Sequence, residues 1–391
     1  MIPKSADVVI IGAGAIGCSI AYHLARRGQT DVVVLERDLI GSGTTSKAAG
    51  GIRAQFGTET EVRFSLESLD FFRRFEEEMG TSCYLRQVGY LFLLNDERDL
   101  ERFRQQVAMQ QRLGVDVQII SPQEARELVP QLAIEDLLAA VYCPTDGYAG
   151  TNEVVMGYAR KAREKGVRIL EQTEVVDILV HGERVAGVQT TRGTIATPLV
   201  VNAAGPWAGL IGKMLGQELP LLPRRRHIFF TEPFPDFVHP SPLVIDRTSG
   251  FYCRAEGPGV LMSPGDAEAV PLSYHVGIDW SKAEETAQKA TRRVPVLQRA
   301  GIMSGWAGLR PLTPDEHAII DYLPGVEGVL CAIGFCGHGF QHSPAAGRVV
   351  AEMILDGQPS LDLSLFRLSR FQNREITQQG RAPEPEGNRM R

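Results

Sequence analysis

Val8-Val9-Ile10-Ile11-Gly12-Ala13-Gly14-Ala15-Ile16-Gly17, answered by Val32-Val33-Val34-Leu35-Glu36, decides the fold. Each apolar run is short, mostly β-branched and free of polar alternation, the pattern of a strand buried on both faces. Between them Ile16 to Arg27 reads as a helix, with Gly28 as its C-terminal stop. Strand, glycine loop, helix and strand within about 30 residues make a parallel unit closed by a right-handed crossover.

Gly12-x-Gly14-x-x-Gly17 sits where a dinucleotide fingerprint must sit, after a strand and opening a helix. Gly12 permits the tight turn, Gly14 lets the backbone approach a pyrophosphate, and Gly17 lets the helix pack on the strand. Ala15 and Ile16 open the helix, whose free N–H groups and partial positive charge suit phosphates. Glu36, followed by Arg37, ends the second strand; its carboxylate accepts from ribose hydroxyls and disfavours a 2′-phosphate. The small and hydroxylic stretch Gly41 to Gly51, with Thr44, Thr45, Ser46, Ala49, Gly50 and Gly51, suits a longer cofactor lying across the sheet edge. FAD is therefore expected rather than NAD.

The chain has 391 residues, 43% of them hydrophobic and 23% charged, a globular composition expected to form two or three domains. A net charge of −6 argues against a general nucleic-acid binder. Forty glycines fit a protein that wraps a large cofactor. Cys18, Cys83, Cys143, Cys253, Cys331 and Cys336 form no CxxC pair and no disulfide framework, so a cytoplasmic, reducing location is expected. The apolar run Val8 to Tyr22 spans about 15 residues, short of the roughly 20 a membrane helix needs, and its flanks do not suit a signal peptide.

Further along, Glu61 to Met79 reads as one long amphipathic helix, Gln87 to Leu94 as a strand and Glu97 to Leu113 as a helix. Ser121 and Glu124 form a capping box. Thr151 to Lys165 is helical, with strands at Val167–Leu170, Val175–Val180, Arg184–Thr191 and Leu199–Asn202. Leu219 to Gly265, rich in proline, β-branched and aromatic residues, reads as antiparallel sheet. Val329 to Ile333 leads into a second glycine loop at Gly334, and Ser343 to Leu355 is the last helix. Residues 371–391 read as a disordered tail.

Taken in order, Gly12–Gly17 with Glu36, Ser46–Arg53, Glu174-Val175, Asn202–Trp207, Gly308–Asp315 and Gly334–Gln341 resemble the FAD-dependent amino-acid and N-methyl-amino-acid oxidoreductases. That family includes D-amino-acid oxidase, glycine oxidase and the sarcosine oxidases, and the resemblance covers residues 6–370. It implies an α/β architecture: a discontinuous Rossmann-like FAD-binding domain (1–82, 151–216 and 320–370) and an antiparallel-sheet substrate domain (83–150 and 217–319). Val175, Ala204, Gly205 and Trp207 are implied FAD contacts. Gly334, Gly337, His338, Gly339, Phe340 and Gln341 form the implied loop beside the flavin ring, with a helix N-terminus stabilising charge there.

Arg310, in Gly308-Leu309-Arg310-Pro311, matches the family arginine that binds substrate carboxylate; guanidinium and carboxylate pair bidentately. Arg53 matches a second substrate arginine, with a cofactor-pyrophosphate or structural contact as the alternative. Tyr252 matches a tyrosine facing the flavin. The implied reaction is oxidation of a C–N bond beside a carboxylate by hydride transfer to flavin N5, with the imine then hydrolysed. Alternatives are a polyol-phosphate dehydrogenase and a non-catalytic FAD-binding assembly subunit.

Three departures shape the expectation. Trp306–Leu312 lacks the cysteine that tethers FAD in monomeric sarcosine oxidases, so non-covalent FAD is expected. Gly259–Met262 lacks the oxygen-activating lysine, and Gln341 replaces another, which favours a partner subunit or other electron acceptor. Gly150–Glu153 lacks the histidine that carries a second flavin. Cys331, Cys336, His338 and His342 fit no common zinc spacing, so no metal is expected. Arg224-Arg225-Arg226-His227 reads as a solvated strand entrance or a set of interdomain ion pairs.

Overall fold

The computed structural model describes residues 2–265 and 268–371. One six-stranded sheet runs in the order Ile319–Tyr322, Val329–Ile333, Val200–Asn202, Val8–Ile11, Val32–Leu35, Arg168–Leu170. All neighbours are parallel except the first pair. Val8 and Ile10 pack into one core and Val9 and Ile11 into another, which is why the run carries no polar alternation. Each buried Val or Ile contributes about 1.5–3 kcal/mol.

The helix Ala15–Arg26 lies on this sheet between the helices Thr151–Glu164 and Gly339–Leu355. The packing against the last helix is close: a Cβ at Gly347 would stand 2.2 Å from Ser19 Oγ, which donates to Ser343 O at 2.6 Å. The opposite face of the sheet is covered by the three-stranded antiparallel sheet Val175–His181, Arg184–Thr190 and Gly193–Ala196 and by the helix Ala208–Met214.

A second, nine-stranded sheet is built around Leu222–Thr231, which pairs with Gly259–Ser263 on one side and Ile302–Leu312 on the other. Tyr90–Leu94 and Ala139–Cys143 extend it. It is not wholly antiparallel as the sequence suggested: Leu243–Asp246 pairs in parallel with Tyr90–Leu94, a contact across some 150 residues of chain that no local pattern specifies.

Two helix readings are corrected. The expected helix Glu61–Met79 is two helices, Glu59–Arg73 and Phe75–Met79, broken at Arg74; the break lets Phe75 bury fully and meet Tyr158 edge-on. The last helix begins at Gly339 rather than Ser343, carrying Pro344 inside it. The capping box at Ser121 and Glu124 forms as read. Phe371, assigned to the tail, is buried in a short 3-10 turn; residues 372–391 lie outside the described residues. Among the described residues no helix is long and apolar enough to cross a membrane, and all six cysteines are free and buried.

Candidate functional site

Ile11, Leu35 and Ala203 mark the carboxyl ends of three adjacent parallel strands, and all three line one cavity. This is the crevice where open α/β sheets bind ligands. The cavity, mouth included, measures about 1400 Å³. It holds Gly12, Gly14, Ala15, Ile16, Glu36, Arg37, Thr44, Thr45, Val175, Ala204, Gly205, Trp207 and Gly339, so most of the expected cofactor residues meet in one space.

Gly12 and Gly17 stand where a side chain would not fit. Gly12 has φ +104°, and a Cβ there would stand 2.6 Å from Ala203 O. A Cβ at Gly17 would stand 1.9 Å from Gly12 O, so the helix rests on the loop only with glycine there. No side chain caps this helix at Gly14; Thr45 Oγ1 instead accepts from Ala15 N at 3.1 Å. Glu36 accepts from Ala13 N and Asp38 N, both at 2.9 Å, which aims the carboxylate across the loop mouth. Burial raises its pKa, and those two bonds oppose the rise.

Several expected residues stand outside this cavity. Ser46 donates to Ser42 O and Gly43 O, and Ala49 O accepts from Arg254 at 3.0 Å. Gly50 and Gly51 serve close packing: a Cβ would meet Ala149 O at 2.3 Å and the Tyr90 hydroxyl at 1.8 Å, respectively. Gly334 packs on Thr313, and Phe340 on Phe72.

A second cluster gathers around His338, which precedes the last helix. Arg53 Nη2 lies 3.2 Å from His338 Nε2, and Arg53 also donates to Gln55 O. Its guanidinium lies 4.0 Å from the Phe56 ring centroid. Gln341 Oε1 accepts from Arg53 N at 3.1 Å. Arg310 donates to Cys336 O across the same loop, and Gly337 lies so close that a Cβ would stand 2.3 Å from Arg310 Nε. Burial, then the charge of Arg226, lower Arg310 to about 10. Burial, with Arg53, Arg310 and Arg226 nearby, holds His338 well below the usual imidazole range, so it is neutral. Tyr252 faces Arg226 at 5.8 Å from ring centroid to guanidinium, and its proximity favours the charge on Arg310. Arg53, Arg226 and Arg310 have no ion-pair partner among the described residues. Unpaired half-buried cations are costly and mark an anion site.

Sequence reasoning overlooked part of this. Lys47, Glu174, Tyr274 and Val276 line the large cavity. Tyr274 stacks on Trp207 at 5.5 Å and lies under Arg37 at 3.6 Å, from a loop with no periodic signal. Arg225 lies 3.7 Å from Asp279, a pair within segment 217–319 rather than the interdomain pair expected of the basic run, and Arg226 makes no ion pair among the described residues. No group of three or more potential metal ligands converges among the described residues.

The family model for FAD dependent oxidoreductases matches residues 7–353. The chain belongs to this family, whose members are FAD-dependent enzymes of the amino-acid oxidase type. It is similar to human mitochondrial sarcosine dehydrogenase, 31% identical over 95% of this chain but 42% of that protein; the chain thus spans less than half of that curated relative. The crystal structure of L-proline dehydrogenase from P. horikoshii superposes with a TM-score of 0.89 at 35% identity, covering 95% of this chain and 99% of that one. Glycine oxidase from Geobacillus kaustophilus gives 0.83 at 28%, covering 94% and 99%. The cavity fits FAD in its chemistry: a glycine loop with bare backbone at a helix N-terminus, and the Glu36 carboxylate held across the loop mouth.

Proposed function

We propose that the protein oxidises the C–N bond of a small amino acid or N-substituted amino acid, with Arg310 binding the carboxylate. The observation that carries this reading is Arg310 itself: a half-buried guanidinium with no acidic partner among the described residues, whose Nε is buried and unbonded. A bidentate carboxylate supplies both the missing charge and the missing acceptor.

When bound, FAD supplies the two-electron acceptor that turns the amine into an imine, which water then hydrolyses. The chain's own residues contribute orientation and charge. Arg310, held on Cys336 O, fixes the carboxylate and so the rotation of the α-carbon. Arg53, held by Gln341, Gln55 and His338, adds positive potential beside it. That potential disfavours a protonated amine, so the nitrogen keeps its lone pair to assist loss of the α-hydrogen. Neutral His338 accepts from Arg53 without adding a competing cation. Tyr252 places its ring beside the Arg226 guanidinium. None of these groups is a carboxylate base, and this chemistry requires none.

The same reading takes FAD as non-covalently held, divides the chain into the two domains given above, and passes electrons to an acceptor other than oxygen. The last point is supported by Val260, Leu261 and Met262, an apolar buried strand without lysine, and by Gln341, engaged with the Arg53 backbone. Arg310→Ala should retain FAD and lose at least about 30-fold in kcat/KM, with Arg310→Lys between it and wild type. Unchanged kinetics in Arg310→Ala would remove the basis of the reading.

A further inference from the structure

We propose that Arg226 binds a second carboxylate of the substrate, making this a site for amino acids bearing two acidic groups, on the nitrogen substituent or the side chain. The inference rests on the proposed C–N oxidation and narrows its substrate class.

Leu222–Thr231 and Ile302–Leu312 pair antiparallel, with Arg224 opposite Arg310 and Arg226 opposite Gly308. Side chains two apart share a face, so Arg224, Arg226 and Arg310 project from one side of the ribbon. Gly308 carries no side chain, and the Lys47 side chain packs over it, 2.7 Å from where a Cβ would stand. Arg226 and Arg310 are diagonal neighbours about 7–8 Å apart, within reach of two ends of one small molecule. Arg224, directly opposite Arg310, is the pair that destabilises a sheet, and Arg226 on the diagonal adds a third like charge to the same face, which needs a compensating role.

Among the described residues no acidic side chain pairs with Arg226. Arg254, nearby in the same sheet, is neutralised by Glu256, and Arg225 has Asp279. Among the described residues Arg226 has a backbone acceptor, Gly265 O, and the Tyr252 ring. The charges of Arg226 and Arg310 both act on His338, and Arg226 acts on Arg310, so the three groups lie close together. A monocarboxylate on Arg310 leaves Arg226 uncompensated. A dicarboxylic amine satisfies both, with the Tyr252 ring beside Arg226.

The test uses FAD-loaded wild type, Arg226→Gln and Arg226→Lys. Anaerobic flavin reduction is measured with matched pairs: sarcosine against iminodiacetate, and 2-aminobutyrate against glutamate. Wild type should favour the diacid of at least one pair by roughly 10- to 100-fold in reduction rate over Kd. Arg226→Gln should abolish that preference by weakening the diacid alone, and Arg226→Lys should keep part of it. Arg226→Gln without substrate should be at least as heat-stable as wild type, because a repelling charge is removed; a structural arginine would give a lower Tm. Equal losses for both members of a pair, or a wild-type preference for both monoacids, would overturn the proposal. A separate arm titrates malonate and acetate against the flavin absorbance. Arg226-dependent malonate binding in an enzyme that no amine reduces would uphold the two-anion site while refuting C–N oxidation. Malonate binding unaffected by Arg226→Gln would refute the two-anion site.

Discussion

Gly337 is the point where a single methyl group should disable Arg310 without touching it chemically. An ideal Cβ at Gly337 lies 2.3 Å from Arg310 Nε and 2.6 Å from Nη2, and ordinary contact begins at 3.4 Å. Gly337→Ala must therefore push the guanidinium by about 1 Å, a displacement that costs on the order of 100-fold when it misplaces a reacting group. The shift spoils a bidentate pair, so KM rises and kcat falls together. Gly337 also has φ +88°, so alanine adds backbone strain of about 1 kcal/mol. Gly357→Ala separates the two effects, because Gly357 has φ +76° with nothing within 4 Å of its Cβ position. Both variants should lose a few degrees or less in Tm and retain FAD. Only Gly337→Ala should lose about 30- to 100-fold in kcat/KM for whichever amino acid reduces the wild type. Equal kinetics in the two variants would show that Arg310 does not set substrate position.

Two further predictions concern the scaffold. Gly12→Ala places a Cβ 2.6 Å from Ala203 O at φ +104°, so the variant should purify without flavin, read as the loss of visible absorbance; full flavin occupancy would contradict the loop's assigned role. His317 is raised by its 3.0 Å hydrogen bond to Glu61, and Glu61 lies below its ordinary value, because the His317 bond and charge outweigh the burial that raises it. The raised histidine stabilises fully below its ordinary 6.5 and loses this as pH rises through its folded pKa. The depressed Glu61 stabilises above its ordinary 4.5 and loses this as pH falls. The stability gap between wild type and His317→Gln, from urea unfolding, should peak between those values and shrink toward pH 9; a gap independent of pH would refute the pairing.

The glycine loop was legible because its requirements are local. Gly12, Gly14 and Gly17 answer to backbone crowding within a few residues, and the Val8 and Val32 runs carry their burial on both faces in their own composition. Arg310 was legible only through the motif around it. Arg226 was misread because its environment comes from residues far off in sequence: Gly308 through strand register, Gly265 and Tyr252 through the sheet. The start of the last helix was misplaced because Pro344 resembles a first-turn proline. Burial of Phe340, Gln341 and His342 extends the helix to Gly339, and the bond that proline cannot make is the cost of that packing. Tyr274 gave no signal, since it acts by lying across Trp207 from an irregular loop.

The most direct test of the central claim is anaerobic bleaching of the bound flavin. The panel is sarcosine, dimethylglycine, glycine, L-proline, D-proline, iminodiacetate, glutamate and glycerol 3-phosphate. Bleaching by at least one amino acid, none by glycerol 3-phosphate, and loss of the response in Arg310→Ala is the predicted result. Flavin that dithionite reduces but no amino acid does, or that glycerol 3-phosphate reduces, would contradict it.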